Sequence, residues 1–435
     1  MIPSTTPEPE AHDPDAGTVD SPDIRDVDVH DLTVDGFTHG GEGVARLDGK
    51  AVFVPGTIPG EQVRIRIVDD RKRWARGELV EVRQASPDRV VPPCPYVGAC
   101  GGCDLQHVEV DAQRRLKTRV VREQLQRIGR IVDPPVDACL AVGESTGYRH
   151  HAQLHADPDG RLGFRRVSSH DVIAIDRCLV LTDDAQRLVD QVGDGTGAQR
   201  LVVRVAEEGR AAVLTPGASG LDLPDGDFDL LLEQPDGRTI AIRGEGELSE
   251  TIAGQTLRFA ADTFFQVSPA GAEAIVAQVL DALGDLEGAL VWDLYAGVGL
   301  LSLPIAAAGA DVVAVESNRS AARLAERNAD EANLPVDVLH ADVAEVTAKA
   351  VAGEDGLEAP DLVVLDPPRA GAEARVLDDL ARLVPQRIIY VACDVAALAR
   401  DTARLTEHGY RLTRAVPLDL FPMTHHVEVV ATFTR

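Results

Sequence analysis

The sequence predicts an α/β protein with a C-terminal doubly wound domain, an N-terminal small β-barrel and a central α+β domain. From about residue 251, apolar segments alternate with alanine-rich helical segments, which is typical of a doubly wound fold with a mainly parallel sheet. Before that point, short stretches of alternating apolar and polar residues are separated by glycine and proline, as in small antiparallel sheets. The length of 435 residues also exceeds that of one typical domain.

Four segments follow from these patterns. We expect a disordered acidic tail at 1–26, a barrel at 27–84, a central domain at 85–250 and the doubly wound domain at 251–435. A helix is expected at 111–129, where apolar residues recur at helical spacing. The strands expected in the C-terminal sheet cover residues 289–294, 311–316, 336–339, 361–365, 387–392 and 427–433.

The charge is strongly acidic but unevenly distributed. The chain has 43 Lys and Arg against 71 Asp and Glu, a net charge of −28, which by itself argues against a nucleic-acid partner. Residues 1–35 contain ten acidic side chains and one basic one, whereas 64–130 contains fifteen basic side chains and nine acidic ones. This basic middle part favours RNA binding, although an acidic surface that serves only solubility remains an alternative.

Two absences indicate where the protein works. No run of about 18 apolar residues occurs, so no membrane-spanning helix is expected. The N-terminus lacks the basic, then apolar, then small-residue pattern of an export signal, so we expect a cytoplasmic protein.

The predicted barrel carries a candidate RNA-binding surface. Five short strands in fewer than sixty residues are typical of oligonucleotide-binding barrels. Alternation places Arg64 and Arg66 on one solvent face, and the basic loop 71–76 contains Trp74, which could stack on a base. The alternative is an ordinary solvated loop.

The six cysteines indicate a metal site or catalysis rather than a disulfide framework in a long cytoplasmic chain. Cys94, Cys100 and Cys103 form a run of three candidate ligands, with glycines that allow the backbone to wrap a cluster. The fourth ligand must come from a distant part of the chain. Four thiolates suit either a [4Fe–4S] cluster or zinc, and the spacing leaves both open.

The apolar segment 290–294 runs into a glycine turn that predicts a nucleoside-binding loop. Gly297 and Gly299 allow the backbone to approach a ligand closely. Ser302 occupies the place of the third glycine of a dinucleotide fingerprint, which weakens an NAD interpretation. Glu316, at the end of the next strand, could accept hydrogen bonds from both ribose hydroxyls. The alternative is a turn that only caps a helix.

Two further strand ends carry reactive side chains. Asp366 begins a rigid Asp-Pro-Pro turn that ends in Arg369, at the expected carboxyl edge of the sheet. Cys393 lies between a predicted strand and a helix from about residue 396, and a helix N-terminus lowers the pKa of a thiol. The alternative for Cys393 is a buried, inert cysteine.

A thiolate is required when a methyl group must be attached to carbon 5 of uracil, because that carbon is a poor nucleophile. Addition of the thiolate at carbon 6 gives an enolate-like adduct whose carbon 5 attacks the methyl group. A base must then remove the carbon 5 proton so that the thiol can leave. Glu428 is the candidate base, and His425 and His426 are its rivals.

Together these motifs resemble the RNA uracil-C5 methyltransferase family, in its subclass with an N-terminal TRAM domain and an iron–sulfur site. The resemblance spans nearly the whole chain except the tail and parts of 185–250. It rests on the barrel, the cysteine run, and the motifs Asp262–Ser268, Asp293–Gly299, Asp366–Arg369, Tyr390–Cys393 and His426–Glu428.

The resemblance implies a Rossmann-like methyltransferase domain that uses S-adenosylmethionine, with Cys393 as nucleophile and Glu428 as base. It implies that Cys178 completes the cysteine site, that a [4Fe–4S] cluster is favoured over zinc, and that ribosomal RNA is favoured over tRNA. We expect a monomer. The residues implied to bind S-adenosylmethionine are Gln266, Tyr295, Gly297, Gly299, Glu316 and Asp366.

Two departures from the family pattern are visible. Asp394 follows the nucleophile where Asn is usual, and could raise the pKa of the thiol. Ala296 replaces a frequent Cys in the glycine loop. Cys139 is left over and is interpreted as structural. The alternatives to the enzyme are an inactive methyltransferase scaffold that only binds RNA, and methylation of an amine or a protein.

Overall fold

The computed structural model describes residues 29–217, 220–354 and 356–435; the predicted tail at 1–26 lies outside them. Within this part of the chain, the first five strands close into a barrel in the order β1-β2-β3-β5-β4. Its core consists of small branched side chains such as Val52, Val63 and Ile65. The strands are β1 (Val29–Phe37), β2 (Glu42–Leu47), β3 (Lys50–Pro55), β4 (Gln62–Asp70) and β5 (Trp74–Gln84).

The basic face of the barrel is more neutralised than the sequence predicts. Arg64 and Arg66 lie on β4 but form ion pairs with Asp31 and Glu78. The predicted loop 71–76 is also shorter, because β5 already begins at Trp74. The Trp74 ring is half-buried, and its centroid lies 6.0 Å from that of Phe53.

A second sheet fills the middle of the molecule. Its seven described strands have the order β13-β12-β11-β10-β7-β8-β9, and α2 packs on it. Thr182 caps α2 by accepting a hydrogen bond from the backbone of Ala185 at 3.2 Å. The elements are β7 (His151–Ala156), β8 (Leu162–Arg165), β9 (Val172–Ala174), α2 (Asp183–Val192), β10 (Ala198–Val205), β11 (Arg210–Pro216), β12 (Asp229–Glu233) and β13 (Thr239–Arg243).

The C-terminal sheet confirms the doubly wound fold. In the described part of the chain it has eight strands, in the order β18-β17-β16-β19-β20-β22-β21-β6. The strands are β6 (Leu140–Ala141), β16 (Leu290–Leu294), β17 (Asp311–Glu316), β18 (Val336–His340), β19 (Leu362–Leu365), β20 (Arg387–Ala392), β21 (Arg411–Asp419) and β22 (Glu428–Thr434). Helices cover both faces: α3 (Pro269–Leu283), α4 (Ser302–Ala307), α5 (Arg319–Ala332), α6 (Val343–Ala352), α7 (Ala374–Leu383) and α8 (Val395–Glu407). A hairpin of β14 (Glu247–Ile252) and β15 (Gln255–Ala260) precedes them.

The segment predicted as one central domain contributes to two parts of the molecule. Helix α1 (Val110–Arg127) packs on α8 and β21, and β6 pairs with β21. Val121 and Leu125 of α1 belong to the same apolar core as the strands of the C-terminal sheet. The residues that follow the cysteine run are therefore fixed to the C-terminal doubly wound sheet.

The sheet order determines where a site can form. Strands β18 to β20 are parallel, and their order reverses between β16 and β19, which leaves a crevice at the carboxyl edge. The antiparallel strand β22 begins at Glu428, so its first residue lies at the same edge. No helix among the described residues is long and apolar enough to cross a membrane.

Candidate active site

The loop after β16 is shaped for close approach of a ligand. Tyr295, Gly297 and Gly299 all have positive φ angles, of 67°, 57° and 93°. The backbone N–H groups of Tyr295 and Ala296 donate hydrogen bonds to the carbonyl of Val315, which ties the loop to the end of β17. A Cβ atom at position 299 would lie 2.7 Å from the Leu303 side chain, so glycine is required there.

Glu316 holds this loop from the neighbouring strand. One carboxylate oxygen accepts a hydrogen bond from the backbone N–H of Gly297 at 2.9 Å, and the other accepts one from Asn318 at 2.6 Å. Asn318 in turn caps α5 by accepting hydrogen bonds from Ser320 and Ala321. The sequence analysis missed Asn318, although an Asn directly before an apolar-periodic helix is a capping signal.

Asp293 lies beneath the loop and is fully buried. It accepts a hydrogen bond of 2.5 Å from the hydroxyl of Ser302, the residue in the place of the third glycine. Burial raises the pKa of Asp293 to about 7, and the charge of Glu316 adds to this effect. We refer to 293–299 together with Glu316 as the cosubstrate loop.

Three reactive side chains meet on the other side of the crevice. Asp366 follows β19, Cys393 follows β20 and Glu428 begins β22, and the three interact electrostatically with one another and with Arg369. Burial, followed by the charge of Asp366, raises the pKa of Glu428 well above its usual range. Burial, followed by the charge of Asp293, raises the pKa of Asp366 to about 7. We call Asp366, Cys393 and Glu428 the thiol site.

The predicted lowering of the pKa of Cys393 is wrong for this structure. Burial, together with the charges of Glu428 and Asp366, raises the pKa of the thiol to about 11. Arg369 opposes this shift without overcoming it. The side chain of Asp394 instead caps α8, accepting a hydrogen bond from Ala397 at 2.7 Å. The helix N-terminus lowers the pKa of the thiol, but this effect is outweighed by burial and by two neighbouring carboxylates.

The segment between β15 and α3 presents the remaining predicted contact. Phe265 is buried and stacks on Phe259 with 4.2 Å between ring centroids, whereas Phe264 is 74% exposed. The side chain of Gln266 makes no hydrogen bond to any described residue, and it lines a small cavity with Arg204. Gln266 is thus available for a ligand, but no contact joins it to the cosubstrate loop.

The turn 421–426 before Glu428 contains the two histidines that rival it as a base. Burial, the neighbouring His425 and Arg369 lower the pKa of His426 to about 4, so its ring is neutral at ordinary pH. Lys117 of α1 donates a hydrogen bond to the carbonyl of Phe421 at 3.1 Å. It also forms a buried ion pair with Asp419. The sequence analysis missed Lys117, although it lies on the apolar face of α1 with Val121.

Four cysteines surround one cavity of about 360 Å³: Cys94, Cys100, Cys103 and Cys178. Burial raises the pKa of Cys103 to about 12, and the nearby sulfurs contribute. The donor set of four thiols fits a four-cysteine cluster or zinc in kind. Among the described residues, however, no three His, Cys, Asp or Glu side chains are arranged to hold a metal ion. Cys139 lies elsewhere, buried next to Thr118 of α1.

Comparison with known proteins bears directly on this arrangement. A family model described as tRNA (uracil-5-)-methyltransferase matches residues 247–435, and a TRAM domain model matches residues 25–80. A protein of Shewanella amazonensis named 23S rRNA (uracil(1939)-C(5))-methyltransferase RlmD is 37% identical, over 92% of this chain and 95% of its own. This chain belongs to the RNA uracil-5 methyltransferase family.

Two further relatives agree with this assignment. An uncharacterized RNA methyltransferase of Streptomyces avermitilis is 35% identical over 92% of this chain and 97% of its own length. The crystal structure of Pyrococcus abyssi tRNA (uracil-54, C5)-methyltransferase in complex with S-adenosyl-L-homocysteine superposes with a TM-score of 0.73 at 25% identity. It covers 93% of this chain and all of that one. The resemblance to the family, the TRAM barrel and the S-adenosylmethionine-dependent domain are thereby confirmed.

Proposed function

We propose that this enzyme transfers a methyl group from S-adenosylmethionine to carbon 5 of a uridine in ribosomal RNA. The observation that carries the proposal is the thiol site. It groups a cysteine with a buried glutamate of raised pKa at the edge of the sheet that also carries the cosubstrate loop. A thiol and a nearby strong base are the two groups that methylation of carbon 5 requires.

Cys393 acts as the nucleophile in this proposal. Its thiolate forms a bond to carbon 6 of the uracil, and the electron pair of the ring double bond moves so that carbon 5 attacks the methyl group. The bond between that methyl group and sulfur breaks, and S-adenosylhomocysteine leaves with the electron pair. The thiol pKa of about 11 means that Cys393 is protonated in the free enzyme near neutral pH. The thiol proton must therefore pass to solvent as the uracil enters, and the nearby Arg369 favours the thiolate that forms.

Glu428 acts as the base of the second stage. It removes the proton from carbon 5, the ring double bond re-forms, and the bond from Cys393 to carbon 6 breaks. A carboxylate with a raised pKa is a stronger base than an exposed one, which suits removal of a proton from carbon. The nearly complete burial of Glu428 also keeps water away from the adduct.

The cosubstrate would lie between the two halves of the crevice. Glu316 would hold the ribose hydroxyls, and the backbone at Gly297 and Gly299 would approach the nucleoside. Tyr295, Asp366 and Gln266 would contact the remainder of the molecule. Glu316 already accepts a hydrogen bond from Gly297, so the loop is close to the form that binds the cosubstrate.

Ribosomal RNA is favoured as the substrate by the Shewanella relatives named 23S rRNA methyltransferases, at 37% and 34% identity. The alternative is tRNA, which is the substrate named for the Pyrococcus enzyme at 25% identity. Mapping 5-methyluridine in both RNAs from a strain that lacks this gene tests the choice. We expect one site to be lost from large-subunit ribosomal RNA, whereas loss from tRNA alone would favour the alternative.

We further propose that Cys94, Cys100, Cys103 and Cys178 hold a [4Fe–4S] cluster, with zinc as the alternative. The support is the convergence of four thiols on one cavity. Metal analysis and visible absorbance after anaerobic purification distinguish the two metals. Cys178→Ser should lose the metal and Cys139→Ser should keep it; equal metal content in both variants would contradict the assignment. A monomer located in the cytoplasm, where ribosomal RNA is modified, completes the proposal.

A further inference from the structure

Three distant parts of the chain meet beside the thiol site. The carboxylate of Asp104, directly after Cys103, accepts a hydrogen bond from the backbone N–H of His425 at 2.8 Å and is also hydrogen-bonded to Nδ1 of the His425 ring. A Cβ atom at Gly41 of the barrel would lie 2.9 Å from the Cβ of His425 and 3.1 Å from the Asp104 carboxylate. Only two residues, His426 and Val427, separate His425 from Glu428 along the chain.

The turn 421–426 belongs to no sheet, and contacts from other parts of the chain hold it. Lys117 and Tyr148 donate hydrogen bonds to the carbonyls of Phe421 and Pro422, both at 3.1 Å. The backbone of this turn is also held from outside by residues that follow the cysteine run. The N–H groups of Asp104 and Leu105 donate to the carbonyl of Met423, at 3.1 and 2.9 Å. The side chain of Gln113 accepts a hydrogen bond from the N–H of Met423 at 2.8 Å.

Met423 itself has a positive φ of 68°, an unfavourable conformation for a residue with a side chain. Such a conformation persists only where the surroundings impose it. The contacts from Asp104, Leu105 and Gln113 supply that constraint. Asp104 is distinctive among them because it holds both the backbone and the ring of His425.

We propose that Asp104 is a positioning residue for the base. By holding His425, Asp104 fixes the start of β22 and therefore the position of Glu428. The segment that carries the cysteine run thus sets the geometry of proton removal from carbon 5. This inference rests on the proposed function of Glu428. It predicts a selective defect: addition of Cys393 to carbon 6 is preserved, whereas release of the methylated base is slowed.

Asp104→Ala tests this selectivity with two RNA substrates. In 5-fluorouridine RNA the uracil carries fluorine at carbon 5, so Glu428 has no proton to remove there and Cys393 cannot be eliminated. The covalent adduct therefore reports only the steps before Glu428 acts. We expect adduct formation within about threefold of wild type. With uridine RNA we expect turnover to fall by up to about 100-fold, as misplacement of a catalytic group by about 1 Å can cause. An adduct with uridine RNA should also accumulate on denaturing gels.

Matched variants distinguish a loss of the positioning of Glu428 from a general loss of structure. Asp104→Asn keeps an acceptor for the backbone N–H of His425 and should restore most of the turnover. Asp378→Ala is the control, because Asp378 also pairs with a histidine, His408, but on helices α7 and α8. It should leave turnover unchanged. The metal content of each variant is measured in parallel and should equal that of wild type.

The outcomes are distinct. If Asp104→Ala slows adduct formation and turnover equally, or loses metal, Asp104 only maintains the fold and the inference is overturned. If Asp104→Ala has normal turnover, the contact does not position Glu428 and the inference is also overturned. If wild type itself forms no adduct, the proposed function fails instead, so the two failures cannot be confused.

Discussion

The two halves of the crevice differ in how completely their polar groups are satisfied. In the cosubstrate loop, both oxygens of Glu316 accept backbone hydrogen bonds and Asp293 accepts one from Ser302. In the thiol site, the carboxylates of Asp366 and Glu428 accept no hydrogen bond from any described residue, and their pKa values are raised. The cosubstrate loop is held by these hydrogen bonds, although Asp293 Oδ1 has no partner among the described residues, whereas neither carboxylate of the thiol site accepts one from them.

This difference indicates which substrate completes which half. A buried carboxylate without a partner, as at Glu428, is costly in the free enzyme, and the N3–H group of a uridine base is a donor that could satisfy such a carboxylate. Interactions that form only when the uracil enters can stabilise the transition state, because they do not stabilise the resting enzyme. The cosubstrate loop, in contrast, is already held by the two backbone hydrogen bonds of Glu316.

Loss of the nucleophile should give the largest effect. Cys393→Ala removes the only group of the thiol site that can form a bond to carbon 6, so we expect turnover to fall by roughly four to six orders of magnitude. Cys139→Ala is the control, because burial raises the pKa of Cys139 as well, but Cys139 lies beside α1. Methyl incorporation into RNA measures both. Retention of even a hundredth of wild-type turnover by Cys393→Ala would contradict the role.

Loss of the base should give the next largest effect. Glu428→Gln preserves shape but cannot accept the carbon 5 proton, so we expect turnover to fall roughly 10²- to 10⁴-fold, the usual contribution of a general base. Glu250→Gln is the matched control, since burial raises the pKa of Glu250 as well, but in the hairpin β14–β15. Comparable losses in the two variants would show that Glu428 has no special part in the reaction.

The reactivity of Cys393 in the RNA-free enzyme should depend steeply on pH. Since its pKa is raised to about 11, the thiolate fraction increases about tenfold for each pH unit between 7 and 9. Alkylation of Cys393 by iodoacetamide, followed by mass spectrometry, should therefore accelerate with pH.

The same measurement on Glu428→Gln tests how much the charge of Glu428 contributes to the raised pKa of Cys393. The substitution removes one of the charges that raise the pKa of Cys393, so the alkylation profile should move to lower pH. An unchanged profile would mean that burial alone accounts for the raised pKa. A rate that is independent of pH in wild type would restore the helix N-terminus as the dominant influence.

The cosubstrate loop should respond more weakly to substitution. Glu316→Gln exchanges a charged acceptor for a neutral one, which should weaken binding of S-adenosylmethionine about 10- to 100-fold, with little change in the adduct chemistry of Cys393. Glu326→Gln, on the exposed face of α5, is the control. Calorimetric titration provides the affinities. If both variants bind equally well, Glu316 does not hold the ribose.

Much of the fold could be predicted from the sequence because its signals are local. Apolar strands that alternate with helices specified the doubly wound sheet, and strands β16 to β20 and β22 begin and end within two residues of the expected positions. Strand β21 was not among the expected strands. The addition of β6 to the edge of this sheet could not be predicted. A strand of two residues has no periodicity to detect.

The positions of the site residues were also predictable, because side chains at strand ends share one edge of a parallel sheet. The pKa shifts of these residues could not be predicted from the sequence. The raised pKa of Cys393 depends on Glu428 and Asp366, which are distant in the chain. The contact between Asp104 and His425 joins residues 321 positions apart, and neither residue type signals it.

The central claim is that Cys393 bonds covalently to the uridine that is methylated. Incubation with 5-fluorouridine RNA and S-adenosylmethionine, followed by denaturing electrophoresis and peptide mapping, tests it most directly. We expect wild type to give an adduct on the peptide that contains Cys393, and Cys393→Ala to give none. An adduct of equal yield in Cys393→Ala, or its absence from wild type under conditions of full turnover, would contradict the account.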